Sequence, residues 1–207
     1  MVLAQWVRAQ LALGRIHLKR NEPALAEAAI NEAIYPPANL SEARHLLANA
    51  SDAWYWYGCA LEGLRRDDEA KAMFQRTADF RGDFQEMSVQ AFSEMTYYSA
   101  LAMRKLNREP EAHALLHELR SFGEWLEQAP AVIDYFATSL PTMLLFNTDI
   151  QAAQQLRGQF LQAQALYGLG HYEQAELFLH RIISQDPSHA GATDLLAELQ
   201  PSKEVSL

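Results

Sequence analysis

Large apolar residues recur at helical spacing along most of this chain, and short polar stretches with Asn, Gly or Pro separate the runs. The clearest run extends from Asp52 to Gly82. Trp54, Tyr57 and Leu61 stand three and four residues apart on one helical stripe, and Ala70 and Phe74 form the inner stripe of a following helix. Gly58 and Ala70 matter because they are small: two helices joined by a short turn approach closely only where side chains leave room. The frame recurs. Gln10–Ala26, Trp54–Ala70, Thr96–Ala112 and Gln159–Ala175 are each sixteen residues apart. The pattern predicts an all-α chain of helical hairpins over about 7–34, 51–82, 93–122 and 156–187.

Trp54-x2-Tyr57-Gly58-x2-Leu61 followed by Ala70-x3-Phe74 resembles the tetratricopeptide repeat slot by slot. Leu13, Gly14 and His17 with Ala26-x3-Ile30 fill the same slots, as do Ser99, Ala100 and Met103 with Ala112-x3-Leu116, and Ala163 and Leu166 with Ala175-x3-Leu179. The resemblance implies a right-handed superhelical solenoid that works as a scaffold for protein–protein interaction. Spacing departs from a minimal array of about 34 residues per repeat. Ala26, Ala70, Ala112 and Ala175 lie 44, 42 and 63 residues apart. The first excess falls on the connector after Tyr35-Pro36-Pro37, where a lengthened helix start from Ser41 is expected. The largest excess defines an apolar insertion, 127–153, with Val132, Ile133, Tyr135, Phe136 and Met143–Phe146. So apolar a segment is expected to be buried, as an extra helix, a degenerate hairpin or an interface.

Asp186-Pro187 opens a last helix, with Leu195, Leu196 and Leu199 on one face, expected to cap the stack over 187–200; 201–207 is expected to be a flexible tail. At the other end Val2, Leu3, Trp6 and Val7 follow helical spacing without a capping residue ahead of them. Either a natural start frays there or the chain is a piece of a longer protein, and the second is favoured. A closer resemblance points the same way. Tyr35-Pro36-Pro37-Ala38-Asn39-Leu40-Ser41-Glu42 and Asp134-Tyr135-Phe136-Ala137 are similar to the C-terminal helical region of large bacterial proteins. In those proteins a β-sandwich domain like that of carbohydrate-active enzymes precedes the repeats.

Charge and cysteine usage narrow the function classes. The net charge of −9 disfavours a nucleic-acid surface, which needs clustered Lys and Arg. The imbalance is uneven, since residues 1–50 carry five Lys and Arg against four Asp and Glu. A single cysteine, Cys59, excludes an intrachain disulfide and a cysteine metal cluster, and fits a cytoplasmic setting. No run is long enough to span a membrane.

In a hairpin array the first helices line the concave face. Their outward positions hold Arg8, Leu11, Arg15 and Lys19; Tyr55, Cys59 and Glu62; Tyr97, Leu101, Arg104 and Lys105; Arg157, Phe160, Gln164 and Tyr167. Arg15, Lys19, Tyr55, Tyr97, Arg104, Lys105, Arg157, Phe160 and Tyr167 form the candidate groove. Its cations would pair the carboxylates of an acidic or extended segment, and its rings would supply contact area. The same letters also suit ordinary solvated and inter-repeat positions. His113 and His117 stand one helical turn apart like a two-histidine metal pair, but no Glu follows His113 and no third ligand is indicated. No nucleophile elbow, P-loop or dinucleotide fingerprint occurs, so no enzyme and no cofactor are expected. The partner expected is a protein or peptide. The alternative is an accessory or oligomerisation domain that self-associates as a homodimer or packs on a preceding β-domain; an exposed Val2, Leu3 and Trp6 face would favour it.

Overall fold

The structure, a computed structural model, describes residues 2–40, 48–80, 82–85, 88–131 and 149–204. The apolar heart of the expected insertion (132–148), the expected helix start at 41–47 and the last three residues lie outside the described residues. Nine α-helices are present among those described: α1 Val2–Lys19, α2 Pro23–Ile34, α3 Ser51–Gly63, α4 Asp67–Asp79, α5 Glu94–Lys105, α6 Glu109–Gln128, α7 Ile150–Gly168, α8 Tyr172–Gln185 and α9 Ala190–Glu204. A 3-10 turn, Ala38–Leu40, follows α2, and a two-stranded ribbon, β1 Asp83–Gln85 with β2 Ser88–Gln90, precedes α5. The chain divides into two compact units. The first holds α1–α4, most of α5 and the start of α6; the second holds Phe92–Tyr97, the rest of α6 and α7–α9.

One turn is built four times. Asn21, Arg65, Asn107 and Gly170 all have positive φ, at 57°, 62°, 59° and 83°. Each donates its N–H to the carbonyl three residues earlier. The next residue's N–H reaches back five: Glu22 to His17, Arg66 to Leu61, Arg108 to Met103 and His171 to Leu166, all at 2.9–3.0 Å. This pair of bonds is a Schellman ending, which satisfies carbonyls that a helix C-terminus leaves open. The second helix then begins at once, with Ala26, Ala70, Ala112 and Ala175 donating to the carbonyl four residues back. The sixteen-residue frame thus follows from a fixed turn between helices of fixed phase. Pro23 and Pro110 sit in the first turn of α2 and α6, where a missing N–H costs nothing.

Small residues let the helices of a hairpin close on one another. A Cβ on Gly58 would lie 2.6 Å from the Phe74 ring, and one on Gly14 would overlap Ile30. In the first unit Leu11, Ala26, Ile30 and Ala33 pack on Ala53 and Ala60, so α2 lies against α3. In the second unit Phe160, Ala163, Leu179 and Ile182 pack on Ala192, Leu195 and Leu199 of α9. Burying each Leu or Ile fully contributes about 1.5–3 kcal/mol. Polar anchors fix the hairpin junctions. Arg66 bridges Glu27 at 2.5 Å and Glu69 at 2.7 Å, while the Tyr57 hydroxyl donates to Glu27 at 3.2 Å.

Three features differ from the sequence reading. Residues 48–50 are not helical; Asn49 instead turns the chain into α3 from just ahead of its N-cap, Ala50, its Oδ1 accepting from the Ser51 N–H at 2.9 Å and hydroxyl at 2.6 Å. Its Nδ2 donates to the Gly82 carbonyl at 2.9 Å, and its N–H to Asp83 at 3.1 Å, so the same residue also anchors the start of β1. The last helix begins at Ala190 rather than at Pro187. Asp186 there accepts from the Ser188 N–H and hydroxyl in a tight turn, and those bonds hold its carboxyl below the usual range. Finally, α9 runs on to Glu204, four residues into the segment expected as a tail.

Candidate partner-binding face

The first unit contains Arg15, Lys19, Tyr55, Arg104 and Lys105 of the candidate groove. Helix α1 carries Arg8, Arg15 and Lys19 and no acidic residue. The Arg15 guanidinium stands 6.0 Å from the centre of the Trp56 ring, and Lys19 is exposed in the last turn. Cations at a helix C-terminus complement the partial negative charge of its carbonyls. Lys105 meets Glu62 at 2.5 Å and lies 5.7 Å from the Phe74 ring centre, and Arg104 meets Glu109 at 2.9 Å. Such partly exposed pairs contribute little to stability and exchange with solvent or another carboxylate.

Tyr55 is not on an open face. It is buried, with ring centroids at 5.2 Å from Trp56, 5.9 Å from Phe74 and 6.0 Å from Tyr98. Cys59 lies beside it, and burial pushes its thiol up to about 11 against the pull of Lys105. A neutral thiol in that position is a packing group, not a nucleophile.

The second unit contains Tyr97, Arg157, Phe160 and Tyr167. Tyr97 is buried, 6.4 Å from Tyr167 between ring centroids. Phe160 is buried beneath the start of α9, where a Cβ on Gly191 would lie 2.6 Å from its ring and His189 stands 4.8 Å away. Both therefore pack the hairpins instead of facing a partner. Tyr167 is half-buried between Tyr97 and Tyr172, and burial pushes its hydroxyl up to about 12. The Arg157 Nε stands 3.7 Å from Glu94, and its buried Nε and Nη2 make no hydrogen bond. Of the nine groove residues, Arg15, Lys19, Arg104, Lys105, Arg157 and Tyr167 thus keep some exposure.

An arrangement that the sequence reading missed lies where α7 meets α6. Gly123 of α6 and Gly158 of α7 face each other so closely that a Cβ on either would lie 2.7 Å from the other's carbonyl oxygen. One turn along, the Glu127 carboxylate accepts from Gln159 and Gln162, each at 2.8 Å. Two mid-helix glycines, each one turn from these partners, are the sequence signal for this crossing. Among the described residues, no three His, Cys, Asp or Glu side chains come together as a metal site, and no helix is long and apolar enough to cross a membrane. His113 and His117 are both exposed.

No solved structure matches the chain. The family model described as tetratricopeptide repeat matches residues 52–79 and 157–189, the segments that hold the α3/α4 and α7/α8 hairpins. The chain is an all-α helical-repeat protein, and these two segments are its tetratricopeptide repeats.

Proposed function

We propose that the chain is a non-catalytic scaffold that holds an acidic or extended segment of a protein partner against the cations of its first helices. One observation carries this reading. In a chain of net charge −9, α1 has three cations and no acid, and α5 ends in Arg104 and Lys105. Arg15, Lys19, Arg104 and Lys105 form the contact set in the first unit, with Arg157 and Tyr167 as the set in the second. Of the buried rings, Tyr97 packs against Tyr167 of the second set. A preformed helical array loses little ordering entropy when a partner docks. Tetratricopeptide repeats generally mediate protein binding, which supports the class of partner; a cytoplasmic setting goes with it.

The test is binding of a fluorescein-labelled peptide of 15 residues rich in Asp and Glu, followed by anisotropy. Replacing Arg104 and Lys105 with Glu is expected to weaken binding at least tenfold without loss of helicity, and rising salt is expected to weaken the parent's binding. Equal binding by parent and variant refutes the cationic face. The second reading is an accessory or oligomerisation domain of a bacterial carbohydrate-active enzyme, packing on a preceding β-domain or self-associating. The exposed apolar residues of α1 favour its self-association part.

A further inference from the structure

The internal repeat supplies a standard for judging which surfaces are covered. A shift of 44 residues carries Gln10 to Trp54 and Ala26 to Ala70, and it equates Ala9, Leu13 and Ile16 of α1 with Ala53, Tyr57 and Ala60 of α3. In α3 that stripe is an interface: Ala53 and Ala60 are wholly buried in the core that α2 completes, and Tyr57 packs at its edge with its hydroxyl on Glu27. In α1 the same stripe is open and carries larger apolar groups. Leu13 is 43% exposed, Ile16 46%, and Val2 at the helix start 59%. Leu25, one turn into α2, is 53% exposed.

Charge indicates what covers this end. Helix α1 has Arg8, Arg15 and Lys19 without an acid, whereas α2 has no cation: its Glu32 is exposed, its Glu27 is held by Arg66 and Tyr57 within the chain, and Glu22 just before it is partly exposed beside His17. The hairpin is therefore a basic helix beside an acidic one. Packing α1 on the α1 of another copy would set like charges together. Packing α1 on the other copy's α2 sets each basic row beside Glu32 and Glu22 of the other copy, and a two-fold axis repeats that match on both sides. The apolar stripe then meets the neighbourhood of Leu25 and Ala28. Helix α1, with 18 residues, is about 27 Å long, and two helices side by side are about 20 Å across, the scale of a standard interface patch.

We propose that a second copy of this chain docks on the first hairpin, α1 over α2 in both directions. The proposal rests on the self-association part of the second reading; it shares Arg15 and Lys19 with the acidic-peptide face, whose remaining cations in the first unit, Arg104 and Lys105, lie outside α1 and α2.

Sedimentation velocity and light scattering of the full chain from about 1 to 100 µM provide the test. The expected result is a species of twice the 23.4 kDa chain mass. Leu13→Glu with Ile16→Glu is expected to weaken it at least tenfold while helicity is kept, and Ile16→Arg alone to act in the same direction. Leu177→Glu, a change at a more exposed leucine on α8, is expected to leave the dimer intact. A monomer throughout the range, or a dimer indifferent to the Leu13 and Ile16 changes, overturns the proposal. So does a monomer that sediments with phosphatidylserine vesicles, which would assign the stripe to a lipid surface. Because acidic-peptide binding is read through Arg104 and Lys105, its loss and loss of the dimer are separate outcomes.

Discussion

Substituting Gly58 with Ala places one carbon in the closest helix contact of the first tetratricopeptide match. The new Cβ would lie 2.6, 2.9 and 3.1 Å from three atoms of the Phe74 ring, where ordinary contact begins at 3.4 Å. The ring must therefore retreat by up to about 0.8 Å. It has little freedom to do so, being buried with Tyr55 at 5.9 Å and the Lys105 ammonium at 5.7 Å. Removing a mid-helix glycine favours the helix by about 1 kcal/mol, while overpacking costs about 1–3 kcal/mol. The net expectation is a loss of up to about 2 kcal/mol, or up to about 8 °C in thermal midpoint by circular dichroism at 222 nm. Phe74→Leu removes the atoms that clash and itself creates a void costing about 1–2 kcal/mol. In the double variant the methyl occupies part of that void, so the two losses are expected to fall short of additivity by about 1 kcal/mol. A Gly58→Ala chain as stable as the parent, with additive losses in the double variant, would refute the close-contact account.

Asn49→Ala removes the acceptor of the Ser51 N–H at the start of α3 and the bond to Gly82, and is expected to lower stability by about 1–2 kcal/mol in urea titrations, with Asn49→Asp retaining the Ser51 bond. Glu127→Leu leaves the Gln159 and Gln162 amides buried without their acceptor; a loss of about 2–4 kcal/mol is expected, and an unchanged urea midpoint would show that water satisfies them. Iodoacetamide should alkylate Cys59 far more slowly in the folded chain than in urea at pH 8, because burial raises the thiol to about 11. The folded state holds that proton more tightly than the unfolded one, so the associated stability is complete below about pH 9 and is lost as pH rises through 11. Tyr167, raised to about 12, acts in the same direction, and Cys59→Ala is expected to reduce the loss between pH 9 and 11.

The repeated part of this molecule is written in local residues, and that is why it reads from sequence. Gly58, Ala70 and Phe74 are all within one hairpin, and the turn at Arg65 follows from the frame around it. The features that escaped depend on distant partners. Asn49 looks like a residue inside a lengthening helix until Gly82 and Asp83 are placed beside it. Gly123 and Gly158 are separated by the long insertion, so no local pattern shows that they cross. Side-chain exposure on the candidate face was legible for its cations and not for most of its rings. Arg and Lys keep their charged ends in water whatever their stems touch. A ring on a first helix, by contrast, lies open or buried according to what packs on it: Tyr55 meets Tyr98, and Phe160 lies under α9.

Four turns with the same geometry make the hairpins interchangeable by their own standards. A chain that paired α2 with the wrong first helix would still find a small residue opposite a large one and the same reversal between helices. The turns and the small-against-large pairs alone do not penalise such a frame shift. What penalises it are contacts that occur once among the described residues, such as Glu27 with Tyr57 and Arg66, Asn49 with Gly82 and Asp83, and Glu127 with Gln159 and Gln162. These polar clamps act as address labels, and a chain stripped of them is expected to keep its helices while losing the single order in which they are stacked.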